Sequence, residues 1–143
     1  MLSDNVVPSA IMFVEEGREV VLPVDGRSML PFIVGGRDSV VLQKCGALRK
    51  GDIVLAKTIE KGYVIHRIDS IGSDGVYALL GDGNLAMREH CHSDDIKAVA
   101  THVVTPDGRR TPLNEGWNRF AGKIWRLLLP VRRYLLWIYK KTH

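Results

Sequence analysis

Three residue types that together can open a peptide bond stand in order along this chain: Ser28, His66 and Asp82. A serine hydroxyl is a weak nucleophile at neutral pH and needs a base beside it. An imidazole can be that base, since its ordinary pKa is about 6.5. A carboxylate behind the imidazole fixes its tautomer and offsets the charge it takes on. Ser28 lies in Gly26-Arg27-Ser28-Met29-Leu30-Pro31, His66 in Tyr63-Val64-Ile65-His66-Arg67-Ile68, and Asp82 in Leu79-Leu80-Gly81-Asp82-Gly83-Asn84. Each has a commoner meaning alone. Serine after glycine is frequent in turns, and aspartate before glycine marks a turn. A single strand histidine is usually just packed or solvated. The three in sequence point to acyl transfer.

These blocks resemble the S24/S26 serine peptidases, the family of signal peptidase I and the self-cleaving repressors. Gly26 to Pro31 is similar to the family's G-x-S-M-x-P at every fixed position. Arg37-Asp38-Ser39-Val40-Val41-Leu42 and Gly51-Asp52-Ile53-Val54-Leu55 look like two copies of its "GD, then apolar strand" block. Bacterial leader peptidases and repressors use a lysine base. The endoplasmic-reticulum and archaeal type uses histidine in a V-H-R-V context, which Val64-Ile65-His66-Arg67-Ile68 resembles. That type continues with K-G-D-N-N, and Leu80-Gly81-Asp82-Gly83-Asn84 is similar with two changes. The resemblance covers about residues 20 to 105.

It implies a compact antiparallel β-rich fold and an acyl-enzyme mechanism without cofactor or metal. Ser28 would be the nucleophile, His66 the general base and Asp82 the orienting acid. Gly26, Arg27, Met29 and Pro31 would form the oxyanion and substrate-binding turn, with the Ser28 N–H as oxyanion donor. Signal peptidases often add a serine two residues before the nucleophile. Gly26 stands there, as glycine does in the repressors. Arg27 either meets substrate carboxylates or faces water, where arginine is commonest. The histidine type also carries an acid six residues after Asp82, and here that place holds Arg88. Glu89, Asp94 and Asp95 are the alternative third members. Lys57 and Lys61 are the rival bases, and either would have to lose its charge by burial.

The elements that must position these groups read as strands. Residues 19–24 are rich in β-branched side chains and end in the turn pair Asp25-Gly26. Further strands are expected at about 39–43, 52–58, 63–71, 75–80 and 96–104, separated by glycine-containing breaks. That spacing argues for a mainly β, antiparallel fold. Residues 1–17 include a short helix with Pro8 in its first turn and Glu15-Glu16-Gly17 at its end. Cys45-Gly46 reads as a turn, and Asp107-Gly108 as another. His90-Cys91-His92 reads as a polar loop, with ligands too few and too close for zinc.

At 143 residues the chain fits one core-bearing domain over residues 1–116, followed by a distinct segment over 117–143. The net charge of +4 conceals a division. Residues 1–116 hold 13 Lys and Arg against 16 Asp and Glu, whereas 117–143 hold seven basic residues, no acid and all three tryptophans. Two cysteines make no disulfide framework. No secretory signal stands at the start, and no run approaches the roughly 20 apolar residues that span a bilayer.

The segment 117–143 has helical apolar spacing at Trp117, Phe120, Ile124, Leu127, Leu128, Val131, Leu135 and Ile138, with Pro130 as a kink. It reads either as a helix packed on the body or a second subunit, or as an amphipathic helix on an anionic membrane surface. Nucleic acid is not an expected partner, because the body is acidic and lacks a recognisable binding motif. The sequence therefore reads as a histidine-type serine endopeptidase acting on a peptide or protein, in the cytoplasm or at the inner membrane face. Two rivals remain: a catalytically inactive peptide-binding module of the same fold, and a peripheral membrane-surface protein working through 117–143.

Overall fold

The structure is a computed structural model and describes residues 6–24, 29, 33–81 and 88–113. The fold is mainly β. It opens with helix α1 (Val7–Glu15), which buries Val7, Ala10, Ile11 and Val14 along one stripe. Pro8 lies in its first turn, where a missing N–H costs no helical bond. Gly17, at φ +87°, ends the helix in a conformation that side-chain-bearing residues avoid.

Eight strands follow: β1 (Val20–Pro23), β2 (Ser39–Gln43), β3 (Ile53–Thr58), β4 (Gly62–Ile71), β5 (Val76–Leu80), β6 (Glu89–His92), β7 (Ile96–Val104) and β8 (Arg110–Pro112). They form one antiparallel sheet in the order β1-β2-β7-β3-β4-β5-β6, with β8 also paired to β7. Chain neighbours β3 to β6 pair in sequence, and β7 returns between β2 and β3. The sheet curls enough for the β3–β4 turn to reach β6, the strand at its edge: Ile59 N–H donates to the His90 carbonyl at 3.0 Å.

Strand alternation sorts the apolar side chains into two clusters. Ile53, Leu55, Ile65, Ala98 and Ala100 join Val7, Ile11 and Val14 of α1. Val54, Ala56, Ile68, Leu79, Cys91 and Ile96 make the second cluster, inside the curl formed by β3 to β6. Fully burying a valine or isoleucine contributes about 1.5–3 kcal/mol, so both clusters hold the sheet to its register.

Two expectations need correction. His90-Cys91-His92 is not a loop but most of β6, with Cys91 buried and both histidines outward. Strand β8 is additional, and Cys45 packs half-buried against the second cluster.

Candidate active site

Both "GD" blocks do the same local job. Asp38 is buried and accepts the Val34 N–H at 2.9 Å; Asp52 is buried and accepts the Arg49 N–H at 2.9 Å. Each carboxylate closes a turn just before a strand, a role in which aspartate outperforms other residues. At β2, Asp38 also helps join the ends of a long excursion. Val24 N–H donates to the Asp38 carbonyl at 3.1 Å, and Gly36 N–H donates to the Val24 carbonyl at 2.7 Å. The Gly26–Pro31 motif lies within this excursion. Of that motif, Met29 is described and buried in the first cluster. Gly26, Arg27, Ser28 and Pro31 lie outside the described residues, as do Asp82 and the segment 117–143.

The second block is tied directly to the histidine strand. Arg67 is buried, and its Nη1 donates to the Gly51 carbonyl at 2.9 Å. Gly51 N–H donates to the Ile68 carbonyl at 2.9 Å, and Ile68 N–H to the Asp52 carbonyl at 2.8 Å. The arginine after the histidine therefore locks this end of β4 against the start of β3. With Arg67 fixed, alternation sends the neighbouring His66 to the opposite face. Val54 is its cross-strand partner, so His66 faces the second cluster.

There His66 meets Glu89. Nδ1 of His66 lies 2.8 Å from Oε1 of Glu89, and the two side chains are 4% and 1% exposed. The approach is close but lies off the hydrogen-bond direction. Among the described residues, neither His66 Nδ1 nor the Glu89 oxygens complete an aligned hydrogen bond. Leaving carboxylate oxygens so placed costs about 1–3 kcal/mol, and an apolar pair of similar volume would serve the core at least as well. Packing alone gives no reason for this pair. A buried His–carboxylate pair is an arrangement that can act as a base: with Nδ1 turned to the acid, Nε2 is the ring nitrogen left to take a proton.

The other candidates stand elsewhere. Arg88, six residues after Asp82 in sequence, turns its Nε to Asp69 Oδ2 at 2.7 Å. Glu89, one residue later, supplies the inward carboxylate. Asp95 accepts the His92 N–H at 3.1 Å in the short 3-10 turn Ser93–Asp95, and the neighbouring Asp94 carbonyl accepts from Lys97 at 2.9 Å. Lys57 is exposed, with its Nζ 5.8 Å from the Tyr63 ring centre. Lys61 is half exposed, and its Nζ lies 3.9 Å from Glu89 Oε1. It is therefore a counter-charge rather than a buried neutral amine.

Cys91 sits among the same apolar side chains. Burial, reinforced by the Asp95 and Glu60 charges, pushes its thiol up to about 11, too high for a nucleophile at neutral pH. No helix among the described residues is long and apolar enough to cross a membrane. No group of three potential metal ligands occurs among them either. No protein-family model matches the chain, and no curated protein matches it.

Proposed function

We propose that the chain is a serine endopeptidase similar to the histidine-type signal peptidases, with Ser28 as nucleophile, His66 as general base and Glu89 as the acid behind His66. The observation that carries this reading is the buried contact between His66 Nδ1 and Glu89 Oε1. It lies on the strand whose sequence resembles the family's base strand. In the reaction, Ser28 Oγ bonds to the substrate carbonyl carbon while His66 Nε2 takes the hydroxyl proton. The imidazolium, stabilised by Glu89, returns that proton to the leaving amine as the peptide bond breaks. Water then attacks the acyl-enzyme by the same base and frees the acid product. The substrate is a peptide or protein with small residues before the cut, as the resemblance implies.

The test is covalent labelling of the full chain with a fluorophosphonate probe. Wild type is expected to gain one adduct on Ser28. Ser28→Ala is expected to gain none, and His66→Ala to label at least about a hundredfold more slowly. A wild-type protein that never labels and cuts no peptide would leave the pair structural and the chain a binding module.

A further inference from the structure

The β3–β4 turn does more than join two strands. Its own frame is closed by Thr58, whose hydroxyl donates to the Gly62 carbonyl at 2.8 Å and accepts the Lys61 N–H at 3.1 Å. Gly62, at φ +74°, completes the turn. The turn is then fastened to β6 at one residue, His90. Ile59 N–H donates to the His90 carbonyl at 3.0 Å, Glu60 Oε1 accepts the His90 N–H at 2.9 Å, and Glu60 Oε2 meets His90 Nδ1 at 2.8 Å. A turn needs no such attachment to be stable. Its effect is to set Lys61 over the residue next to His90, which is Glu89.

We propose that Lys61 is a positioning residue for His66, acting through Glu89, and that the Glu60–His90 clamp is what seats it. Glu89 Oε1 is shared: His66 Nδ1 approaches it at 2.8 Å from inside, and Lys61 Nζ at 3.9 Å from the surface. A cation there offsets part of the carboxylate's charge, so removing it is expected to strengthen the pull of Glu89 on the imidazole. The proposal rests on the peptidase reading for its purpose but not for its physics.

Among the described residues, the surrounding charges do not compete for this role. On β4, Arg67 is turned to the Gly51 carbonyl. Arg88 is occupied by Asp69, Glu60 by His90, and Asp95 by the His92 N–H. Asp94 and Lys97 are tied to each other through the Asp94 carbonyl, and strand β5 opposes Glu89 with Leu79. Cys91 stays neutral below about pH 11. Lys61 is half exposed, so its effect is reduced by solvent.

The experiment follows the His66 ring by NMR through a pH titration of the full chain, in wild type, Lys61→Met, Lys61→Arg and Lys57→Met. Lys57→Met is the control, a lysine of the same hairpin that faces Tyr63. Lys61→Met is expected to raise the His66 midpoint by roughly half a pH unit or more. Lys61→Arg and Lys57→Met are expected to stay near wild type. The acid limb of Ser28 labelling should move with the ring. A Lys61→Met curve that overlays wild type overturns the proposal, as does a Lys57→Met shift of equal size or a ring that never titrates. A shifted ring in a protein that never labels would refute the peptidase reading and leave the Lys61 role standing.

Discussion

His66 and Glu89 touch although their strands are not neighbours: β5 lies between β4 and β6. The contact crosses the inner face of β5 diagonally. Glu89 opposes Leu79, while the register that pairs Arg67 with Leu80 brings Gly81 beside His66 when continued by one residue. The residue that this register sets beside the imidazole on β5 is thus a glycine. Glycine within a strand pattern commonly marks such a close approach.

Gly81→Val is therefore expected to damage the pair more than the sheet. Overpacking there should cost about 1–3 kcal/mol, read by urea denaturation. It should also slow Ser28 labelling. A variant as stable and as reactive as wild type would show that no space is needed at that position.

The pair is expected to act as one electrostatic unit. Removing the ring alone, as in His66→Leu, leaves a buried carboxylate without its nearest partner and should cost about 3–5 kcal/mol. Adding Glu89→Leu should recover much of that loss, because two apolar side chains replace the charges. Urea midpoints of the two singles and the double decide it. A double variant less stable than His66→Leu would contradict the coupling.

Which carboxylate serves His66 chemically can be separated from stability. Glu89→Gln is nearly isosteric but stops the carboxylate from fixing the tautomer. It should slow Ser28 labelling by about 10²–10⁴-fold, in line with the loss on neutralising a triad aspartate. Asp82→Asn is expected to do much less. The reverse order would assign the role to Asp82.

The Glu60–His90 clamp gives a pH dependence with a definite sign. The hydrogen bond from His90 holds the Glu60 carboxyl below its ordinary value of 4.5. A depressed carboxyl contributes stability above its unfolded value and loses it as pH falls through the folded one. Wild type should therefore melt higher than Glu60→Gln at pH 6, and the two should converge toward pH 3. Parallel melting curves over that range would rule the clamp out as an acid-sensitive contact.

The two thiols should behave differently. Cys91 is fully buried and Cys45 only partly, though burial raises both, with Asp52 adding to the effect at Cys45. At pH 8 a thiol reagent should modify Cys45 first, and Cys91 only as fast as the protein opens. In alkali the sign reverses from the Glu60 case. The folded thiol stays neutral to about 11 while an unfolded one ionises near 9.0, so Cys91 should make stability fall between those values. Loss of that fall in Cys91→Ala would confirm its source, and an unchanged profile would exclude it.

The strands that were legible in sequence are those with β-branched or apolar runs separated by glycine-containing breaks, namely β1, β2, β3, β4, β5 and β7. Strand β6 was not, because Glu89-His90-Cys91-His92 breaks the usual code of apolar inside and polar outside. Its one usable signal is parity: Glu89 shares a face with Cys91, a residue type usually buried. The strand that carries His66 was legible through its apolar, β-branched neighbours. The contact of His66 with Glu89 was not, since it depends on the curl of the sheet and on a strand skipped between them. Strand β8 is three residues with a proline at its end, too short for any periodicity.

The reciprocal bonds among Val24, Gly36 and Asp38 let β1 and β2 be joined whatever stretch of chain is strung between them. Closing such a loop becomes harder only slowly as it grows, by about 0.6 kcal/mol per doubling of its length. The segment bearing Ser28 can thus be lengthened or rewritten by evolution, or by design, while the sheet keeps its register and the imidazole its address.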